Sequence, residues 1–394
     1  MTASPKRPRE ILLWHWGRAG AGSKFTYELA RELRNVQGFQ LTVSASEGSQ
    51  LAILTTSMKD VALRKVRTFH GDKTSWRGKL NAALALLGLW QLARDFRGIL
   101  NERRTDVAIC AFQAIWDVAA IPVLRRRASR FILILHDAKF HPGDYYPFRA
   151  SVLGWEIASA DALIVLSDHV GRSAEKFYGF PSDRIWTVPH GAFSFGSGSV
   201  TPRKFPHHRP MRLLFFGRIV TYKGLGHLLD AYRLLRERGV AVELEIVGSG
   251  DISPYESQLA GLPNASIINT WVDEEQIAQA LARADVVMLP YIEASQSGVA
   301  AAALTAALPI VATPVGGLIE QVRDGQTGII AKGMGSEDLA AAIQSLVDDP
   351  SLYEICSAGA LKHAREELGW TPIAAAIGDI VNEVASRPKR RGQC

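Results

Sequence analysis

Short, nearly uninterrupted apolar runs alternate with helix-compatible stretches along the chain, and the alternation occurs twice. Arg9 to Trp16 (REILLWHW) stops at Gly17, and Ser23 to Val36 follows with Phe25, Leu29 and Leu33 at helical spacing. The runs FQLTVSA (39–45), DVAICAF (106–112), RFILILH (130–136) and ALIVLS (162–167) continue the series. Apolar strands separated by helices require a parallel sheet covered on both faces. A Gly/Ser/Pro/His-rich segment, Ser194 to Pro210, then interrupts the pattern and reads as a linker. Beyond it, strands are expected at 212–217, 242–248, 266–269, 286–291 and 309–313, with helices near 224–238, 274–283, 298–307 and 336–348. The reading is α/β: two doubly wound domains, 1–200 and 201–371, followed by a segment 372–394 whose basic end, RPKRRGQC, is expected to fray. Such sheets bind ligands at the carboxyl ends of their strands, so function is expected in a cleft between them.

A chain of 394 residues has enough length for two cores. Its longest apolar run, Ala82 to Trp90, is less than half of the roughly 20 residues a spanning helix needs, and the Met-Thr-Ala-Ser-Pro start lacks an apolar signal region. Three scattered cysteines suit neither a disulfide framework nor a zinc cage, and a cytoplasmic location is expected. Charge is uneven: residues 1–200 carry 27 Lys+Arg against 17 Asp+Glu, and the remainder 18 against 22. Much of the excess lies between Lys59 and Arg104, interleaved with Trp76. That region reads either as a surface for an anionic membrane or phosphorylated acceptor, or as an amphipathic helix with a solvated charged face. No nucleic-acid partner is expected.

Four motifs fall at strand ends. Gly17-Arg-Ala-Gly20-Ala-Gly22-Ser23-Lys24 resembles a P-loop, but Ser precedes Lys and the magnesium-binding hydroxyl is misplaced. What remains is a glycine turn whose amides, at Gly20 and Gly22, can approach an anion, or a tight turn into a helix. Gly217-Arg218-Ile-Val-Thr-Tyr-Lys223-Gly224 places two cations five residues apart after a strand, where both can converge on one diphosphate. Ala294-Ser295-Gln296-Ser297-Gly298 opens a helix of very small residues, as an anion seat or as ordinary capping. His136 ends an apolar strand beside Asp137, with His141 and Asp144 just beyond; it is placed to meet a substrate or to serve structurally. No D-x-D motif and no His/Cys cluster at ligand spacing occurs, so no dedicated metal site is expected.

With these residues in view, the chain resembles family 4 of the retaining glycosyltransferases. The resemblance spans FFGRIVTYKGLGHLLDAYRLL, LEIVGSG, WVDEEQIAQALARADVVMLP, ALPIVATPVGGLIEQVRDGQTGIIA and, in the first half, ADALIVLSDHVGRSAEKFYGFPSDRIWTVPHGAF. It implies the GT-B fold, two Rossmann-like domains facing across a cleft, with the helix Pro372 to Val384 crossing back to the first. It implies that Arg218 and Lys223 bind a nucleotide diphosphate, that His136 matches a cleft histidine, and that backbone at Trp271 and Val272 receives the nucleobase. The donor side would include Gly217, Glu293, Ser295, Gln296, Ser297 and Gly298; Asp137, His141 and Asp144 would lie on the acceptor side.

The pattern also departs from that family. Relatives carry two Glu residues eight apart, and these positions fall on Ala294, with Glu293 one residue early, and on Ala302. Ala302 cannot hold ribose hydroxyls. The implied reaction moves a hexose from a nucleotide-diphosphate sugar to a polysaccharide or lipid-linked glycan, with retention, and with the diphosphate stabilised by cations and amides instead of a metal. No other cofactor is expected. A non-catalytic GT-B partner subunit and a GT-B sugar-nucleotide epimerase are the alternatives, the first motivated by Ala302.

Overall fold

The structure, a computed structural model, describes residues 7–68, 76–139, 149–196 and 198–390. Among them the first sheet contains β1 (Arg9–His15), β2 (Phe39–Ser46), β3 (Ala62–Val66), β4 (Val107–Cys110), β5 (Arg130–Leu135), β6 (Ala162–Val165) and β7 (Ile185–Thr187). They lie in the order β3-β2-β1-β4-β5-β6-β7. The second sheet contains β8 (Met211–Phe216), β9 (Val242–Gly248), β10 (Ala265–Asn269), β11 (Val286–Leu289), β12 (Ile310–Ala312) and β13 (Gly328–Ile330), in the order β10-β9-β8-β11-β12-β13. Every pairing is parallel: Leu12 lies between Thr42 and Ala108, and Leu213 between Leu244 and Val286. The chain direction across each sheet reverses between β1 and β4 and between β8 and β11, and a crevice opens at such a switch point.

The inner strands of both sheets are buried on both faces, as their apolar runs require, while the edge strand β10 is largely exposed. In the first, Trp14 stacks on Phe131 at 5.6 Å and meets Phe96 edge-on at 5.5 Å. Its Nε1 donates to the buried Asp117 carboxylate at 3.0 Å, which removes the cost of an unpaired indole N–H. In the second, Leu213, Phe215, Leu228, Tyr232 and Ile246 pack between the sheet and the helix Leu225–Glu237.

The last helix, Trp370–Ser386, returns to the first half and packs on the helix Ala21–Leu33. Trp370 is its anchor: the ring lies 5.1 Å from Phe25 and 6.3 Å from Phe193, and Nε1 donates to Ala192 O at 2.7 Å. Thr371 Oγ1 donates to Glu32 at 3.0 Å and Arg9 Nε to Asn382 at 3.2 Å.

Two expectations change. The tail does not fray through Arg390. Lys389 Nζ donates to Leu124 O, Arg127 O and Ser129 O, at 2.8 Å and 3.1 Å for the first and last. Arg390 reaches Ala158 O and Ala160 O at 3.2 Å and 3.3 Å and covers the Phe180 ring at 4.4 Å. All but Ser129 O, which directly precedes β5, lie at or just past the carboxyl ends of the helices Ile121–Arg125 and Arg149–Ser159, where unpaired oxygens attract cations. The described residues of the segment Ser194 to Pro210 form no helix or strand but are tied down: Arg203 N donates to Ser357 Oγ at 2.6 Å, and Lys204 pairs with Glu354 at 2.9 Å. Strand and helix limits shift by one to three residues at several ends, and β3, β7, β13 and the helix Pro350–Glu366 were not anticipated.

Candidate active site

The carboxyl ends of β8 and β11 bring the second half's cations together. Gly217 leaves β8, Arg218 follows it, and Lys223 closes the short turn Thr221–Lys223. Lys223 Nζ donates to Tyr291 Oη and lies 3.9 Å from that ring's centroid. Arg218 Nη2 approaches Tyr222 Oη at 3.4 Å, and the Tyr222 and Tyr291 rings stand edge to face at 6.3 Å. Arg218 is exposed, whereas Lys223 is half-buried. Tyr291 continues the arrangement, with its Oη 3.2 Å from Ser297 Oγ. Burial raises the Tyr291 hydroxyl well above its ordinary range, so it stays protonated. Lys223 only donates, so whichever hydroxyl bridges Tyr291 and Ser297, the other keeps a proton for a third partner.

Ser297 is the N-cap of the helix Gly298–Thr305; its Oγ accepts from Ala300 N at 3.3 Å. Gln321 fixes the same residue from both sides, accepting from Ser297 N at 2.6 Å and donating to Ser297 O at 3.3 Å. Gly316 packs underneath, with φ +48°; a Cβ there would lie 1.7 Å from Ala294 O, so this approach of two loops needs glycine. Ser295 is buried, and its carbonyl accepts from Ser167 Oγ of the first half at 2.8 Å. Glu293 is half-buried. Gln296 Oε1 is buried with no hydrogen-bond partner, as is Ser23 Oγ in the first turn of the helix Ala21–Leu33. Each such atom loses about 1–3 kcal/mol until something bonds to it. Ala302 lies in the helix Gly298–Thr305 with 1% exposure, so no carboxylate stands there.

Opposite is a wall of neutral imidazoles. His136 follows β5, packs 4.1 Å from Phe112 and 4.8 Å from Phe25, and its Nε2 lies 2.9 Å from Ala111 O. A carbonyl only accepts, so Nε2 carries the proton and Nδ1 keeps its lone pair. His15, at the end of β1, and His190, after β7, were not among the expected residues. His15 Nδ1 donates to Phe112 O at 2.8 Å and His190 Nδ1 to Gly191 O at 2.9 Å. The His15 ring fits only because positions 17 and 22 are glycine: a Cβ would lie 2.5 Å and 2.8 Å from its Nε2. His190 Nε2 lies 3.7 Å from where a Gly298 Cβ would stand, which brings the imidazole wall against the start of the helix Gly298–Thr305.

Burial lowers all three histidines to about 4. Below about pH 6.5 the unfolded chain takes up protons that the folded chain refuses, so this stability is complete near neutrality and is lost as pH falls toward 4. At about 1.4 kcal/mol per unit the loss is of order 3 kcal/mol per histidine, and protonation of the buried Asp117, whose carboxyl burial raises, offsets part of it. Melting temperature is therefore expected to fall steeply between pH 6.5 and 4.5. A flat profile would show that these imidazoles are charged in the folded chain.

The glycine turn differs in part from expectation. Gly20 N donates to Gln50 Oε1 at 3.1 Å, so that amide is already taken, while the amides that follow it open the helix Ala21–Leu33, where first-turn N–H groups have no intrahelical partner. Lys24 turns away from the turn and pairs with Glu274 of the second half at 2.8 Å, over the Phe195 ring at 4.1 Å. Trp271 is 65% exposed and faces Gly20, with its ring 3.6 Å from a Cβ placed there; Val272 beside it is half-buried. Asp137 is half-buried next to His136, and His141 and Asp144 lie outside the described residues. Among the described residues no three His, Cys, Asp or Glu side chains gather as metal ligands. The halves are joined at one more point: the Glu320 carboxylate accepts from Asp168 N at 2.7 Å and His169 N at 2.9 Å.

Two family descriptions match the sequence, Glycosyltransferase Family 4 over residues 22–192 and Glycosyl transferases group 1 over 210–349. D-inositol 3-phosphate glycosyltransferase of Thermomonospora curvata is 32% identical over 244 residues, 56% of this chain and 56% of that protein. Glycogen synthase of Mycobacterium tuberculosis is 26% identical over 246 residues, 62% of this chain and 59% of that protein. The chain thus spans little more than half the length of these curated relatives. Anabaena HepE in complex with UDP-glucose superposes with a TM-score of 0.71 at 16% identity, covering 95% of this chain and 99% of that one. The two switch-point sheets and that superposition make the fold GT-B, and the chain belongs to the family 4, group 1 glycosyltransferases.

Proposed function

We propose that this chain is a retaining, metal-independent glycosyltransferase that moves a hexose from a nucleotide-diphosphate sugar to a polysaccharide or lipid-linked glycan. The observation that carries the reading is the convergence of Arg218, Lys223, Tyr291 and Ser297 at one helix terminus, against the His136 and His190 wall. When the bond from sugar C1 to phosphate oxygen breaks, the sugar gains oxocarbenium character and the leaving diphosphate gains charge. Arg218 supplies a fork and Lys223 a point charge for that diphosphate, and the amides after Ser297 add the helix's positive end. His136 stays neutral and, through Nδ1, accepts from a donor-sugar hydroxyl instead of delivering a proton. The unpaired Gln296 Oε1 accepts from another donor hydroxyl, a task the buried Ala302 cannot perform. Trp271 and Val272 flank the nucleobase, and Asp137, His141 and Asp144 meet the acceptor. Attack from the face that the diphosphate leaves preserves the anomeric configuration.

A non-catalytic partner subunit is favoured by one observation, the absent carboxylate at Ala302. Incubation with UDP-, GDP- and ADP-sugars separates the readings. Nucleotide release that depends on added glycan acceptor supports transfer. Binding without release supports the subunit, and a changed sugar without an acceptor supports an epimerase.

We also infer that the first half works beside an anionic membrane in the cytoplasm. No helix among the described residues is long and apolar enough to cross one. In the helix Trp76–Glu102, Trp90 is 71% exposed, with Arg94 6.0 Å from its ring and Arg97 one turn on, also exposed. Arg64 and Arg67 suit this role less, being paired with Glu102 and Glu47. Trp90→Ser with Arg94→Glu and Arg97→Glu is expected to abolish sedimentation with phosphatidylglycerol vesicles. Sedimentation equal to that of the unmodified chain would remove the membrane contact.

A further inference from the structure

A cavity of about 390 Å³ lies at the amino-terminal ends of β1, β4 and β5, the end of the first sheet away from the cleft. The seven residues of β1, at about 3.3 Å each, put it roughly 20 Å from His15. Its lining includes Arg7, Arg9, Arg104, Arg127 and Arg130, and a single carboxylate, Asp106. We propose that this cavity binds a compact multivalent oxyanion, a phosphate or diphosphate group.

The guanidiniums are held in place with donors to spare. Arg130 is locked by Nε and Nη2 on Arg387 O, at 3.0 Å and 2.8 Å, and by Nη1 on Ala128 O at 2.9 Å. Arg127 Nη1 donates to Asn101 Oδ1, Arg9 Nε to Asn382 Oδ1 at 3.2 Å, and Arg7 Nη2 to Asp106 Oδ1 at 2.9 Å. A guanidinium has five N–H donors, so for Arg7, Arg9 and Arg127 these bonds use a minority. Asp106 also accepts from Glu10 N at 3.0 Å and neutralises at most one of the five. The carboxyl end of the helix Trp76–Glu102 contributes about half a negative charge more, which still leaves a large excess. Arg104 sits just beyond that helix at φ +51°, a backbone state arginine rarely adopts, and this turns its side chain onto the rim. Clustered forks of this kind match phosphate oxygens.

The test uses the full chain carrying Arg218→Ala and Lys223→Ala, so that the cleft cannot compete, with titration of inorganic pyrophosphate at low salt. One equivalent is expected to bind, with at least tenfold weaker affinity after Arg104→Gln and Arg127→Gln. Arg104→Gly, which relieves the backbone at that position, is expected to weaken binding alone and guards against misfolding. Absent binding, or affinity unchanged by these variants, would overturn the proposal. Sedimentation with phosphatidic acid vesicles, in the Trp90→Ser, Arg94→Glu, Arg97→Glu background so that the exposed patch cannot compete, then identifies the source. Loss in the same variants assigns a lipid headgroup, and no loss assigns a soluble phosphate.

Discussion

Lys223→Ala is expected to lower kcat about a hundredfold, the usual loss when one pre-aimed donor to a developing anion is removed. The ammonium is held by the Tyr291 hydroxyl and ring, so it is in position before the leaving group develops charge. It meets the donor's diphosphate in the ground state and holds it more tightly as charge develops, so kcat should fall and kcat/KM at least as far. The melting temperature should change little, because Lys223 is half-buried at the cleft and its loss leaves only the Tyr291 hydroxyl, which can still meet Ser297. Steady-state kinetics with the productive donor checks this. A folded variant with turnover within threefold of the unmodified chain would contradict the role of the cradle.

The largest stability effect is expected at Trp370. Trp370→Ala should destabilise the chain by about 3–5 kcal/mol, the range for emptying a buried aromatic site. The indole fills the space that the bare backbone of Gly191 leaves, where a Cβ would come within 2.4 Å of the ring. Phe25 and Phe193 line the rest, and the Nε1 bond to Ala192 O would also be lost. Trp370→Phe keeps the packing and forfeits mainly that bond, about 1 kcal/mol. Denaturant midpoints of the two variants separate packing from hydrogen bonding. Since this residue ties the crossing helix to the first half, Trp370→Ala should also release the helix Trp370–Ser386 to proteolysis. A midpoint equal to that of the unmodified chain would show that the helix is anchored elsewhere.

Most strands were legible because buried parallel strands are largely apolar, and ten runs announced themselves by that character, β9 despite Glu243 and Glu245 and the exposed β10 through Ile267 and Ile268. β3 and β7 escaped because edge strands are short and tolerate charge: Arg64 and Lys65 lie within β3. β13 has only three residues, Gly328–Ile330. The helix Pro350–Glu366 carried a readable start, Asp349 accepting from Leu352 N with Pro350 at the first position, but its apolar face is sparse. In the site, Arg218, Lys223 and Ser297 were legible from their place after strands. The same signal marks His15 and Tyr291, at the ends of β1 and β11, and would have found both. Lys24 was not readable, because its partner Glu274 is 250 residues away and no local pattern encodes that meeting. The docking of Lys389 and Arg390 is similar: the carbonyls that hold them belong to helix ends near residues 125 and 159. A basic tail looks alike whether or not such acceptors wait for it.

The most direct test of the central claim is calorimetric binding of a nucleoside diphosphate in the presence of a chelator, using the unmodified chain and its Arg218→Ala, Lys223→Ala counterpart. Saturable binding is expected that the chelator leaves unchanged and that the paired substitutions weaken by two orders of magnitude or more. Binding that needs an added divalent cation, or that survives removal of both side chains, would contradict it.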